Sequence, residues 1–120
     1  MTKNQNSTQY DLEERTLKFA RHAVGFCKGL PKTIIEGEIA KQLVRAATSV
    51  GANYIEANEA LGRKDFLMRI KICRKEAKES GYWLKLIEVS NPDSRKEQDK
   101  LLKESTELTK IFSSILTKSQ

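Results

Sequence analysis

Apolar residues recur along most of this chain at intervals of three and four, with polar residues between them. Leu12, Phe19, Ala20, Ala23, Val24 and Cys27 fall on one side of a helix, the spacing that a 3.6-residue period produces. Ile39, Leu43, Ala46, Ala47, Val50, Tyr54, Ala57 and Leu61 form a second stripe within an arc of about 100°. Phe66, Ile70, Cys73, Ala77, Ser80, Leu84 and Ile87 make a third, and Leu101, Leu102, Leu108, Phe112, Ile115 and Leu116 a fourth. No stretch alternates with the period of two that a half-buried strand needs. The apolar run from Leu84 to Val89 continues the helical spacing before it.

Local signals place the breaks. Asp11 with Glu14, Thr33 with Glu36, and Ser94 with Glu97 each have the three-residue spacing of a capping box, in which side chains satisfy the free amides of a first helical turn. Gly29 in a left-handed position and Pro31 close the first helix, Gly62 the second, and Asn91-Pro92 the third. Four helices are expected, over about 11–28, 34–61, 63–90 and 94–116, the middle two the longest, at roughly 36 Å for 1.5 Å per residue. Polar residues 1–9 are expected to form a disordered tail, residues 10–117 one domain, and residues 118–120 a frayed end. Short links between amphipathic helices predict an all-α, up-down-up-down four-helix bundle.

Composition narrows the function. The chain has 120 residues, enough for one core without disulfides or metal. Cys27 and Cys73 lie far apart and read as small core residues in a reducing, cytoplasmic setting. No apolar run approaches the roughly 20 residues of a membrane span. The single histidine, His22, has no glutamate three residues before it, so the paired Glu-x-x-His motifs of a di-iron bundle are missing. On a helix it stands about 140° from Cys27. No phosphate-binding loop, dinucleotide fingerprint or nucleophile elbow occurs. Neither an enzyme nor a cofactor nor a metal is expected.

Charge is unevenly shared. The net charge is +6, and residues 61–120, with 14 basic and 9 acidic side chains, hold +5 of it. Lys64, Lys71, Arg74, Lys75, Lys78 and Lys85 fall within about 100° of each other on the third helix, opposite its apolar stripe. Tyr82 points the same way and can stack on a base. A basic stripe attracts polyanions, RNA or DNA among them; it is also what the solvated outer face of a bundle looks like.

Other positions suggest self-association. Ile72 and Trp83 lie on a flank of the third helix beside Glu76 and Glu79, and Val44 and Ile55 lie outside the second stripe. Trp83 either meets a partner or closes the edge of its own bundle. Arg45, Ser49, Asn53 and Glu56 form a polar ladder on the second helix. It faces either solvent or a neighbouring subunit, where charge pairs set register.

Gln42-Leu43-Val44-Arg45-Ala46-Ala47-Thr48-Ser49-Val50-Gly51-Ala52-Asn53-Tyr54-Ile55-Glu56-Ala57 resembles the signature of the bacterial "four helix bundle protein" family, first noticed inside intervening sequences of large-subunit ribosomal RNA genes. Lys64-Asp65-Phe66 and the run from Arg74 to Leu84 are similar to a common subgroup, and the resemblance spans residues 10–116. Many members have Asn-Ile-Ala-Glu-Gly where this chain has Asn53-Tyr54-Ile55-Glu56-Ala57. The resemblance implies a homopentameric barrel with a central channel. The similar accessory protein of diversity-generating retroelements binds nucleic acid and a reverse transcriptase. The expectation is therefore a non-catalytic, oligomeric, sequence-nonspecific nucleic-acid-binding accessory protein. The alternatives are a scaffold for a polymerase or reverse transcriptase, and a bundle that binds no nucleic acid.

Overall fold

The computed structural model describes residues 3–119, and side chains over 12–119. It contains four helices: α1 (Lys3–Lys28), α2 (Ile34–Asn58), α3 (Arg63–Leu86) and α4 (Pro92–Ser119). Each packs on the next in sequence, and α4 returns to α1, which closes an up-down-up-down bundle. The α2–α3 and α3–α4 contacts are extensive, while α1 and α4 touch sparsely. Among the described residues no strand occurs, and no helix is long and apolar enough to cross a membrane.

The helix boundaries shift in instructive ways. α1 runs back to Lys3, so Asp11 lies inside the helix and does not cap it, and the tail expected over residues 1–9 is helical from Lys3 onward. No proline or glycine stands between Lys3 and Asp11, and an existing helix extends at little cost through residues that do not break it. Residues 1, 2 and 120 lie outside the described residues. The outer helices, of 26 and 28 residues, are longer than the inner ones of 25 and 24, reversing the expected order.

Thr33 does cap α2: its hydroxyl accepts from the Glu36 amide at 3.2 Å and donates to the Glu36 carboxylate. At α4 the cap is Asn91 rather than Ser94. Its side-chain oxygen accepts from the amides of Asp93 (2.8 Å) and Ser94 (3.3 Å), and Pro92 takes the first helical position, where a missing amide costs nothing. Gly62 precedes α3 in extended backbone and does not end α2, which stops at Asn58; α3 likewise ends at Leu86, where Ile87 turns extended, short of the expected residue 90 and of Asn91-Pro92. Gly29 follows α1, but no described glycine has a positive φ; its amide closes a tight turn onto the Phe26 carbonyl at 3.2 Å.

The core is built from Leu12, Phe19, Ala23, Leu43, Ala47, Val50, Ile70, Cys73, Ala77, Leu84, Leu101, Leu108 and Phe112, among others. Thr16 and Phe26 join the buried stripe of α1, and Leu30 is buried just beyond its end, while Ala20, Val24 and Cys27 are only half-buried. Thr16 tolerates burial because its hydroxyl donates to the Leu12 carbonyl at 2.7 Å. It lies where α1 crosses Gly51; a Cβ there would stand 3.0 Å from the Thr16 hydroxyl. Gln98 is buried as well, and its amide donates to the carbonyls of Leu84 (2.8 Å) and Ile87 (2.7 Å), satisfying orphan groups at the end of α3. Ile39, Phe66, Leu102 and Ile115 are half-buried, and Leu61 stands fully in solvent because its helix has already ended.

Cys73 is buried, with its thiol against the Val50 carbonyl at 3.4 Å, and Cys27 is half-buried. Burial pushes the Cys73 thiol up to about 12 and the Cys27 thiol up to about 11. Both therefore stay protonated at neutral pH. Iodoacetamide is expected to alkylate the folded protein far more slowly than the urea-unfolded chain, with Cys27 ahead of Cys73. An unfolded thiol ionises near pH 8.5, below these folded values. The stabilisation is thus present below about that pH and lost as pH rises toward 12, which urea titrations across the alkaline range will show.

Candidate nucleic-acid interface

The expected stripe is present on α3. Its core face, from Ile70 through Cys73 and Ala77 to Leu84, turns inward, so the opposite side must face out. Lys64, Lys71, Lys75, Lys78 and Lys85 are exposed and Arg74 is half-buried. From Lys64 to Lys85 the row extends about 32 Å at 1.5 Å per residue. Among the described residues none of the six makes an ion pair. The pairs found there join Arg15 to Glu104 and Glu107, and Arg45 to Glu76 and Glu79. The stripe thus keeps its charge uncompensated, as do most basic positions in the bundle; what sets it apart is that its six cations lie on one side of one helix.

The fold brings residues of a second helix to this face. α3 and α4 approach closely at Gly81, where a Cβ would lie 3.0 Å from the Ser105 hydroxyl. Along this seam runs a groove of about 380 Å³, lined in part by Lys78, Tyr82, Lys85, Thr106, Thr109 and Lys110. A neighbouring hollow of about 350 Å³ brings Arg95 beside Lys85, with Glu88 as its one carboxylate. Lys110 and Arg95 of α4 therefore extend the α3 stripe into a two-helix basic face. Their helical positions were readable, but which helix that flank would meet was not. The Thr106 and Thr109 hydroxyls donate to carbonyls of their own helix, at 3.1 and 2.7 Å, so contacts with anions fall to the cationic side chains.

The positions expected at a subunit interface lie mainly on the α2–α3 side. Arg45 reaches across to Glu79 at 3.0 Å and to Glu76 at 3.4 Å. Asn53 accepts from Arg69 at 3.1 Å and donates to the Ser49 carbonyl at 2.9 Å, while the Ser49 hydroxyl donates to the Arg45 carbonyl at 2.7 Å. Two rungs of the ladder, Arg45 and Asn53, therefore bind α3 of the same chain, and Glu56 stands exposed. Glu76 is only 6% exposed, and the Arg45 guanidinium is its ion-pair partner among the described residues. Ile72 and Trp83 are half-buried, and Trp83 packs on the core, with its indole N–H buried and without a hydrogen-bond partner among the described residues.

Trp83→Ala is accordingly expected to cost about 2 kcal/mol, less than a fully buried aromatic. Trp83→Phe should cost much less, because the N–H it removes was unsatisfied. Chemical denaturation measures both, and light scattering on the same samples reports any change in subunit number.

His22 is exposed on the lip of a cleft of about 700 Å³ between α1 and α4. Lys18 and Lys100 line that cleft together with Glu14, Glu97 and Glu104, a mixture of signs that selects no ligand charge. Arg15 bridges it, donating twice to Glu104 at 2.7 and 2.8 Å.

No curated protein matches the chain. A solved structure is similar, that of a protein of unknown function from the S23 ribosomal protein family of Bacteroides thetaiotaomicron. The two share 33% identity over 91% of this chain and 97% of that one, with a TM-score of 0.79. The family model described as 23S rRNA-intervening sequence protein matches residues 8–114. That span includes the α2 signature and all of α3, the same family that residues 42–57 suggested, and the chain belongs to the 23S rRNA-intervening sequence protein family.

Proposed function

We propose that this chain is a non-catalytic accessory protein that binds RNA, or nucleic acid more generally, along its α3–α4 face without reading base sequence. The supporting observation is the row Lys64, Lys71, Arg74, Lys75, Lys78 and Lys85, unpaired among the described residues and widened by Lys110 and Arg95. Spaced cations on a rigid helix contact phosphates, which position a nucleic acid but carry no sequence information. The family's name, with its reference to 23S rRNA, agrees with an RNA ligand. The protein acts as a homo-oligomer, a pentamer by family resemblance, in the cytoplasm; several copies of the face would add their fields.

Fluorescence anisotropy with labelled RNA and DNA at about 50 and 200 mM salt tests this reading. Six phosphate contacts predict a loss of affinity between those salts of roughly a thousandfold for a duplex and roughly 300-fold for a single strand. No binding at the lower salt would remove the proposal. A second reading, a scaffold for a protein such as a polymerase or reverse transcriptase, draws on exposed apolar side chains away from the basic face, Leu17 and Ile55 among them. Light scattering and a pull-down from the native host address it.

A further inference from the structure

We infer that the α3–α4 groove at Tyr82 holds an unpaired nucleobase, so that the ligand of the basic face is a single strand rather than a duplex. This rests on the reading of that face as a nucleic-acid surface and specifies which form it takes. Tyr82 is 58% exposed, beside a groove whose lining also includes three lysines, three hydroxyl side chains and Leu102. Its ring meets Trp83 edge-to-face, with centroids 5.0 Å apart and planes at 76°. Such a contact holds the ring in place and leaves at least one of its faces open to solvent.

The surroundings suit a base and its backbone. Gly81, the residue before Tyr82, has no side chain to fill the groove, and its close approach to Ser105 brings α4 up as the opposite wall. The groove, at about 380 Å³, falls within the size range of small-ligand sites, roughly 300–1,000 Å³. Lys78 and Lys85 stand one turn to either side of Tyr82, and Lys110 faces them from α4. No carboxylate lines it. A base stacked on Tyr82 would therefore have its flanking phosphates within the reach of three ammonium groups. This is the pairing of aromatic platform and cationic groove by which single strands are held. In a duplex the same base is covered by its neighbours and paired on its edge, so the ring has nothing to stack on.

The test compares a labelled single-stranded RNA of roughly 15 nucleotides with the same strand annealed to its complement. Wild type, Tyr82→Ala and Tyr82→Phe are titrated by anisotropy. The single strand is expected to bind wild type more tightly than the duplex. Tyr82→Ala should weaken single-strand binding by about 5- to 150-fold, the cost of one lost stack, and leave duplex binding unchanged. Tyr82→Phe keeps the ring and should match wild type. Trp83 is the only tryptophan, so its fluorescence should change as the single strand saturates the wild-type protein, a readout that needs no variant. Equal affinity of wild type for strand and duplex, or unaltered single-strand binding by a folded Tyr82→Ala, would overturn the inference and leave an electrostatic face standing. Failure of wild type to bind either probe at low salt would overturn the nucleic-acid reading, and this inference with it.

Discussion

Replacing Lys71, Arg74, Lys75 and Lys78 together by glutamate is expected to abolish nucleic-acid binding and to leave the helical far-ultraviolet signal intact. The four changes turn the net charge from +6 to −2 and put negative charge at the centre of the row. Two of the original six cations, Lys64 and Lys85, remain at its ends, too far apart to hold a strand that the middle repels. At about 0.7 per phosphate on a single strand, the dependence of log affinity on log salt should fall from a slope near −4 to about −1. Affinity at low salt should drop by more than a thousandfold. The fold should survive, since lysine, arginine and glutamate are comparable helix formers and three of the four side chains are exposed. A second quadruple variant with glutamine removes the attraction without adding repulsion, and an intermediate loss is expected of it. Unchanged affinity in the glutamate variant would place any binding elsewhere.

Phe112→Ala is expected to be the most damaging single truncation considered, with a loss of about 3–5 kcal/mol. Phe112 is fully buried on α4, and its ring tilts against Tyr54 of α2 at 6.1 Å and 51°, so it joins diagonally opposed helices across the core. The cavity would have α-helical walls whose backbones cannot close over it, which is why deleted volume in a packed interior costs more than transfer alone. Against a total stability of about 5–15 kcal/mol for a domain, such a loss brings unfolding within reach at moderate temperature. Urea titration is the measurement, and a lowered midpoint with an unchanged slope would assign the effect to the native core. Leu61→Ala supplies the contrast. Leu61 falls in the same kind of apolar stripe in the sequence but stands in solvent, so a change within about 0.5 kcal/mol is expected.

The pair Phe112 and Leu61 shows how far periodicity reaches. Four stripes at helical spacing are enough to announce four amphipathic helices, because each stripe has to be buried and a bundle is the way to bury four of them. The stripe pattern cannot say where a helix stops: Leu61 keeps the apolar spacing of α2 but lies three residues beyond its end at Asn58. Polar core residues escaped for a different reason. Thr16, Gln98 and Ser105 belong to none of the apolar stripes, yet each is buried because a carbonyl within reach accepts its hydrogen bond. Asn91 has the sequence position of a breaker and the structural role of a cap, since that role depends on which amides the turn presents to it.

The helical class, the number of helices, the buried faces of α2 and α3 and the basic row from Lys64 to Lys85 were all legible along the chain, for they follow from residue spacing on a single helix. The rotation of each helix about its axis and the neighbour met by each flank were not. Those are properties of pairs of helices: Gly51 lets α1 settle at Thr16, and Gly81 draws α4 against α3. Packing thereby placed Arg45 and Asn53 against α3 of their own chain. It also brought Lys110 and Arg95 alongside the α3 row and opened the groove beside Tyr82, because only a packed seam sets side chains of two helices on one surface.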